Sequence, residues 1–272
     1  MKKIVITGAT GHLGKKIFDY LDKRDDLDVW GLDIRPDTNE KIIIGDITRY
    51  EESWASVFED CYGVIHLAAD RDNQCGWESA VPNNIDATNN VFHAAAKHGV
   101  KRFVFASSNW VVGGYRFVDS KLTPDITPNP INPYGVTKLV GERTGKYFSE
   151  QYDMDVVSAR IGWTQWTHNN QPGAHMEMGR WGQLMWLSDR DYLHGMEQSL
   201  FADISGHVVV NLMSNNKGMK WCLQASKNSI GYQPQDSAIA ELPLPVRIKE
   251  VFAWLGQRVF PSLGKKIGNP SF

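Results

Sequence analysis

A regular alternation of short apolar runs with longer amphipathic segments constrains this chain more than any other feature. The first three segments, residues 3–8, 12–24 and 28–33, have the patterns of a strand, a helix and a strand. The alternation continues over residues 41–46, 50–60, 63–69, 82–99, 102–108, 134–151 and 155–162. Strands that alternate with helices form a parallel sheet with helices on both faces. The sequence therefore predicts an α/β fold with a doubly wound parallel sheet.

The regular alternation of apolar runs and amphipathic segments ends after residue 162. Residues 163–187 show no clear period, and irregular segments of this length are usually functional lids or linkers. Regular patterns then return as a helix over 188–201, a strand over 207–213 and helices near 225–232 and 246–260. We predict a sheet domain made of residues 1–162 and 188–213. Residues 163–187 and 214–272 are predicted to form a small C-terminal substrate-binding lid and C-terminal region.

The composition is that of an ordinary folded protein, with 42% hydrophobic residues, 22% charged residues and a net charge of −2. These values exclude a disordered chain. The chain also has no excess of Lys and Arg over Asp and Glu, so a nucleic acid is not expected as its main partner. No run approaches the ~18 apolar residues of a membrane span, and the amino-terminal residues lack the apolar core of a signal peptide. Cys61, Cys75 and Cys222 are too widely spaced for a disulfide framework. We therefore expect a cytoplasmic protein.

A glycine-rich turn follows the first predicted strand, with Gly8, Gly11 and Gly14 at intervals of three residues. In a strand–turn–helix unit, such glycines permit a tight turn, the approach of a pyrophosphate and close packing of helix on strand. A glycine-rich turn without a ligand is the alternative. Asp33 ends the second strand, where a carboxylate holds the adenosine ribose hydroxyls and repels a 2′-phosphate. The pattern predicts NAD as the cofactor, with NADP as the alternative because Arg35 is close enough to hold that phosphate.

A second motif places Tyr134 and Lys138 four residues apart on one face of a predicted helix. A phenol with a pKa of about 10 is a poor base at neutral pH unless a positive charge lies beside it. Ser108 ends the preceding strand, where its hydroxyl is able to orient a substrate oxygen toward the phenol. The Tyr-x-x-x-Lys spacing is common by accident, but together with the glycine turn it predicts a catalytic base.

The chain resembles the extended short-chain dehydrogenase/reductase family, the NAD-dependent epimerase/dehydratase superfamily. The matching residues are 7–14, Asp33, 45–47, 66–69, 84–88, 105–109, Tyr134 and Lys138. Within this family the chain is most similar to uronate dehydrogenases and to archaeal NAD-dependent glucose-6-phosphate dehydrogenases. The sequences FASSN, PYGVTK, SARIG, QLMWLSDRDY and SIGYQPQDSA carry this closer resemblance. The resemblance implies a Rossmann-type sheet and an oxidoreductase that acts on a sugar.

Residue roles also follow from the resemblance. It implies Tyr134 as the catalytic base, Lys138 as the residue that lowers its pKa and holds the nicotinamide ribose, and Ser108 as the residue that orients the reacting hydroxyl. The implied cofactor contacts are Gly8, Gly11, His12, Leu13, Gly14, Asp33, Asp46, Ile47, Leu67, Ala68, Ala69, Asn84, Lys138 and Ile161. Asn109 is implied to contact the sugar. Arg180 lies near the position of an arginine that binds the substrate carboxylate in uronate dehydrogenases.

Candidate substrate contacts also come from side-chain chemistry. Four of the ten tryptophans lie in the irregular segment: Trp163, Trp166, Trp181 and Trp186. An aromatic ring suits a sugar face, and we take Trp163 as the substrate contact; packing against the body or a subunit contact is the alternative for each tryptophan. Arg71 and Arg180 are candidates for an anionic substituent, with a surface ion pair as the alternative. The histidines and cysteines lack metal-site spacing, so no metal is expected.

The C-terminal tail differs in charge from the rest of the chain. Residues 246–272 contain five Lys+Arg and one acidic residue, a net charge of +4 against −6 for the remainder. Val251, Phe252, Leu255 and Val259 share one side of the predicted helix. We favour a helix folded onto its own domain; an anionic membrane surface and a partner subunit are the alternatives. A homo-oligomer is expected.

Together with these observations, the resemblance implies an NAD-dependent sugar dehydrogenase that oxidises the C1 hydroxyl of a small acidic or phosphorylated aldose to a lactone. A nucleotide-sugar epimerase or dehydratase is one alternative, although dehydratases of the family place an acidic pair where Asn109 and Trp110 follow Ser108 here. A non-catalytic NAD(P)-binding regulator is the other alternative, and such relatives usually lack the Tyr/Lys pair.

Overall fold

A parallel sheet forms the centre of the protein. The structure is a computed structural model that describes residues 1–165, 179–239 and 242–259. The strands are β1 (Lys2–Thr7), β2 (Leu27–Asp33), β3 (Ile42–Ile44), β4 (Cys61–His66), β5 (Arg102–Ser108), β6 (Asp155–Ile161) and β7 (His207–Leu212). Within the described ranges they form one seven-stranded sheet in the order β3-β2-β1-β4-β5-β6-β7, and all neighbouring pairs are parallel. The α/β doubly wound sheet predicted from the sequence is confirmed.

Helices cover both faces of this sheet. They are α1 (His12–Leu21), α2 (Glu52–Ala55), α3 (Trp77–Ala80), α4 (Ala87–Lys97), α5 (Pro133–Gln151), α6 (Gly179–Leu184), α7 (Asp189–Phe201), α8 (Leu223–Ile230) and α9 (Leu244–Val259). One apolar cluster packs α1 and α7 against the sheet, and a second packs α2 and α4 on the other face. A third, smaller cluster lies around α6. These three clusters hold the strand ends in place around the site described below.

The order of the strands opens a crevice between β1 and β4. The chain runs from β1 outward to β2 and β3 on one side and returns to β4 on the other, so the loops that follow β1 and β4 diverge. Thr7 and His66 are paired across these two strands, and their side chains lie 2.7 Å apart from Oγ1 to Nδ1. Burial lowers the pKa of His66 to about 3, so its imidazole is uncharged at neutral pH. The uncharged Thr7–His66 pair connects the ends of β1 and β4. Parallel α/β sheets bind ligands at such a switch point.

Local structure departs from the sequence prediction at several places. Residues 50–60, predicted as one helix, form the four-residue α2 followed by a 3-10 turn over Ser56–Phe58. Residues 82–99 begin with a wider π-helical turn over Val81–Asp86 before α4; Pro82 lies in this turn and has no N–H to donate. Residues 109–115 form a 3-10 segment that the sequence did not predict.

Candidate active site

The glycine turn after β1 is closed against the loop that follows β4. Gly8 has φ +69°, and a Cβ there would lie 2.8 Å from the backbone nitrogen of Ala68. A Cβ on Gly14 would lie 1.9 Å from the carbonyl oxygen of Gly8. Neither position has room for a side chain, which is the reason that this turn needs glycine. The first residues of α1, from His12 to Gly14, line the cleft that begins at this turn, and the N-terminus of a helix favours an anion such as a pyrophosphate.

A cleft of about 1620 Å³ runs from this turn along the carboxyl edge of the sheet. Almost every residue predicted to contact the cofactor lines it. These residues are Gly8, Gly11, His12, Leu13, Gly14, Asp33, Asp46, Ile47, Leu67, Ala68, Ala69, Lys138 and Ile161. Asn84 does not line the cleft. Its amide oxygen accepts a hydrogen bond from the Asp70 backbone N–H, and its amide nitrogen donates to the Asp70 carbonyl and to the Thr137 hydroxyl. Asn84 thus holds the loop after β4 in position instead of facing the cleft.

Asp33 presents a buried carboxylate at the adenosine end of the cleft. It is 7% exposed, and its Oδ2 accepts a hydrogen bond of 2.9 Å from the Thr10 backbone N–H. Its Oδ1 accepts from the Arg35 backbone N–H at 3.1 Å, and the Arg35 Nε lies 3.6 Å away. These contacts fix the carboxylate where a ribose would meet it. The Arg35 side chain is 61% exposed and lies at the same end.

The other end of the cleft brings Ser108, Tyr134 and Lys138 together. Ser108 ends β5, while Tyr134 lies in the first turn of α5, which Asn132 caps by accepting a hydrogen bond of 2.7 Å from the Gly135 N–H. Lys138 follows one turn later, with its Nζ 5.5 Å from the centre of the Tyr134 ring. The predicted catalytic residues therefore lie on two elements that meet at one point.

Burial controls the protonation of this group. It raises the pKa of Tyr134 to about 12, although a hydrogen bond with the Ser108 side chain acts in the opposite direction. It lowers the pKa of Lys138 to about 8. Lys138 is 5% exposed, and no described carboxylate pairs with its ammonium group. A buried cation of this kind fits the ribose hydroxyls of a dinucleotide, so the cleft has suitable groups for NAD at both ends.

A buried ion pair supports the strand ends behind the catalytic residues. Arg160 on β6 donates two hydrogen bonds to Glu142 on α5, at 2.8 Å from Nε and 2.9 Å from Nη2. Ser107 donates to the same carboxylate at 2.6 Å. Arg160 is 2% exposed and Glu142 is 4% exposed. This network ties β5, β6 and α5 together through Ser107, the residue before Ser108, and nothing in the local sequence indicates it.

Three of the four predicted substrate contacts line the cleft, namely Asn109, Arg71 and Trp163. Arg180 does not: its backbone N–H donates to Glu250 of α9 at 2.7 Å. Trp181 and Trp186 are only 3% and 2% exposed, so both side chains are packed in the interior of the protein. Packing is the alternative that the sequence left open for each tryptophan. Trp181 belongs to the apolar cluster around α6. Trp166 lies outside the described residues.

Lys16 is a cleft residue that sequence reasoning missed. It is 8% exposed, and its ammonium group donates to the Gln165 carbonyl at 3.0 Å and pairs with Asp189. In the sequence it is one of several polar residues of the predicted helix over 12–24 and belongs to no motif. Its role depends on contacts with Gln165 and Asp189, which lie more than a hundred positions away in the sequence, so local patterns do not reveal it.

Among the residues that the structure describes, no three His, Cys, Asp or Glu side chains converge as a metal site requires. None of the described helices combines the length and the apolar character that a membrane crossing needs.

Comparison with known proteins identifies relatives over most of the chain. A family model described as the NAD dependent epimerase/dehydratase family matches residues 4–163. An NAD-dependent glucose-6-phosphate dehydrogenase of Haloferax volcanii is 34% identical, over 86% of this chain and 94% of that protein. A uronate dehydrogenase of Pseudomonas putida is 29% identical, over 87% of this chain and 85% of that protein. The crystal structure of uronate dehydrogenase from Agrobacterium tumefaciens superposes with a TM-score of 0.75 at 25% identity, over 87% of this chain and 85% of that one. The chain belongs to the NAD dependent epimerase/dehydratase family.

Proposed function

We propose that this protein is an NAD-dependent dehydrogenase that oxidises the C1 hydroxyl of a small acidic or phosphorylated aldose to a lactone. The convergence of Ser108, Tyr134 and Lys138 at one end of a cleft whose other end holds Asp33 carries this proposal. Relatives named as glucose-6-phosphate, L-arabinose 1- and uronate dehydrogenases support a sugar as the substrate.

The reaction removes one proton and one hydride from the C1 carbon and its hydroxyl. Tyr134, once ionised, takes the hydroxyl proton at its phenolic oxygen as the C1–O bond becomes a carbonyl. NAD, when bound, supplies the hydride acceptor for the C1–H bond. Ser108 donates a hydrogen bond to the substrate oxygen and aims it at the phenol. The products are a lactone, a reduced cofactor and a proton.

Lys138 is proposed to make Tyr134 ionisable at working pH. Burial keeps the phenol protonated because it raises the pKa of Tyr134 to about 12. A positive charge beside the ring lowers that pKa, since it stabilises the phenolate. The Lys138 ammonium group lies against the same ring and is held away from water.

The substrate side of the cleft supports a polar, anionic sugar. Asn109, Arg71 and Trp163 lie there, and a guanidinium is able to grip a carboxylate or a phosphate with two hydrogen bonds. We propose these three as substrate contacts and keep Arg180 as a proposed contact despite its place outside the cleft. Residues 163–187 and 214–272 are proposed as the substrate-side region, and residues 1–162 with 188–213 as the cofactor domain.

A cytoplasmic homo-oligomer is part of the same proposal. All three cysteines, Cys61, Cys75 and Cys222, are free thiols in the described residues, which suits a reducing compartment.

The function is tested by a panel of aldoses, uronates and sugar phosphates assayed with NAD and with NADP by absorbance of the reduced cofactor. A dehydrogenase accumulates stoichiometric NADH with at least one sugar of the panel. An epimerase or dehydratase returns the hydride and accumulates none, so conversion of a nucleotide sugar without net NADH contradicts the proposal. Binding of NAD with no conversion of any sugar favours a regulator.

A further inference from the structure

The C-terminal helix α9 carries apolar side chains on the side that faces solvent. Five large ones are between 44% and 66% exposed: Leu244, Ile248, Val251, Phe252 and Leu255. From Leu244 through Ile248 and Val251 to Leu255 they are spaced by four, three and four residues, which places them on one side of a helix. We call these five residues the α9 stripe.

The opposite side of α9 is the side that docks on the protein. Ala253 is 3% exposed, and the Glu250 Oε1 accepts a hydrogen bond of 2.7 Å from the backbone N–H of Arg180 in α6. A helix that folds onto its own domain to bury apolar surface turns its apolar side inward. In α9 an alanine and a carboxylate face inward and the large apolar residues face outward. Packing within the described chain therefore does not account for the α9 stripe.

The α9 stripe has the size of a surface that a partner covers. Five side chains at these exposures present roughly 500 Å² of apolar area, near the upper end of what monomeric proteins leave exposed as one patch. Two copies that cover each other's stripe bury about 1000 Å² in total, which meets the lower bound for a specific interface. A stripe with this spacing packs well against an identical antiparallel helix, because the side chains of one helix fit between those of the other.

Charge favours a second copy over a lipid surface as the partner. Helices that lie on anionic membranes are rich in Lys and Arg on their polar face. Between Leu244 and Gly256, however, α9 has Arg247, Lys249 and Glu250, a net charge of only +1. The chain outside residues 246–272 has a net charge of −6, which an anionic membrane repels.

We propose that α9 is a self-association surface, on which the α9 stripe of one copy packs against the α9 stripe of a second copy about a twofold axis. Such a contact is closed and self-complementary, so it yields a dimer and not a filament. The proposal does not depend on the enzymatic function proposed above, since it rests on surface residues far along the chain from the catalytic group.

Sedimentation velocity of the full-length protein over about 0.1–50 µM, a range that brackets micromolar association, tests the proposal. The unaltered chain is expected to dimerise within this range. Phe252→Glu places a charge in the centre of the α9 stripe and is expected to raise the dimer dissociation constant at least about a hundredfold. Ile44→Glu is the matched control, because Ile44 is 60% exposed on the edge strand β3.

A second variant keeps the test decisive if Phe252→Glu fails to fold. Val251→Cys lies in the middle of the α9 stripe, so two copies are expected to form a disulfide-linked dimer on mild oxidation, while Ile44→Cys is not. A monomer at every concentration, or self-association unchanged by Phe252→Glu, overturns the proposal. Binding of a monomer to phosphatidylglycerol vesicles that requires Phe252 also overturns it and assigns the α9 stripe to a membrane.

Discussion

The ammonium group of Lys16 lies 3.0 Å from the carbonyl oxygen of Gln165, although the two residues are 149 positions apart in the chain. Lys16 also pairs with Asp189 at the start of α7. Through this contact the helix that carries the glycine turn holds the residues that follow β6, including Trp163 at the substrate side of the cleft. The buried side chain of Lys16 therefore connects α1, at the cofactor end of the cleft, to the residues at its substrate side.

Lys16→Met is expected to raise the KM for the sugar about tenfold and to change the dissociation constant of NAD less than twofold. A charge-assisted hydrogen bond contributes about 1.5–3 kcal/mol, and its loss frees the residues after β6 while the glycine turn stays intact. Steady-state kinetics and calorimetric NAD binding measure the two effects. Lys101→Met is the control, because Lys101 is exposed, pairs with Asp153 and lies outside the cleft. An unchanged KM contradicts the coupling role.

Tyr134→Phe is expected to lower kcat about a thousandfold, since general-base catalysis contributes roughly 10²–10⁴. NAD binding should persist, because the ring still packs in place and only the phenolic oxygen is removed. Tyr147→Phe, a change on the exposed side of the same helix, should leave kcat unaltered. Residual turnover above a tenth of the original rate means that another group takes the proton.

Lys138→Met is expected to abolish turnover and to stabilise the fold. The pKa of Lys138 falls from 10.5 to about 8 on folding, so the unfolded chain binds more protons between these values and stability rises with pH there. The buried charge therefore destabilises the folded state by about 3 kcal/mol below pH 8, and Met removes this cost. Urea unfolding should show the gain at pH 7 and about half of it at pH 9.5. A variant that is less stable at pH 7 contradicts the burial of a charged amine.

Asp33→Ala is expected to shift the ratio of NADP to NAD affinity at least about a hundredfold toward NADP. The substitution removes both the acceptor for the ribose hydroxyls and the repulsion of a 2′-phosphate, and each effect is worth about tenfold. It also releases Arg35, which pairs with this carboxylate. Fluorescence titration with both cofactors measures the shift. If Arg35 holds the phosphate, Asp33→Ala combined with Arg35→Ala loses the gain in NADP affinity.

Glu142→Ala is expected to lower the free energy of unfolding by about 3–5 kcal/mol, because it leaves the Arg160 guanidinium buried without its carboxylate. Glu150→Ala, on the exposed side of α5 where Glu150 pairs with Lys146, should cost less than about 1 kcal/mol. Denaturant unfolding of both variants separates the two cases. Equal effects contradict the account of the buried pair.

Much of the cofactor site could be predicted because its signals are local. The glycine turn requires a strand before it and a helix after it within a few residues, and Gly8 and Gly14 lie where no Cβ fits. Tyr134 and Lys138 are four residues apart on one helix, so helical geometry alone brings them together. Asn84 shows the limit of this reasoning, since a residue near the site turned out to brace a loop through Asp70 and Thr137.

The substrate side was less predictable because its contacts join distant segments. Trp163, Trp181 and Trp186 look alike in the sequence, yet only the first lines the cleft, because α6 turns Trp181 into an apolar cluster. Similarly, the pattern of α9 favours a helix packed by its apolar side, whereas the structure directs the α9 stripe outward.

The sequence by itself determined the succession of strands and helices, the glycine turn and the spacing of the catalytic tyrosine and lysine, since each depends on residues within one or two turns of chain. Only the tertiary structure decided that Lys16 meets Gln165, that Glu142 meets Arg160 and which way α9 faces. The strand order places β1 and β6 on opposite sides of β4 and β5, and the pairing of side chains across such distances is set by packing. The hydrophobic periodicity of the sequence contains no information about these long-range contacts.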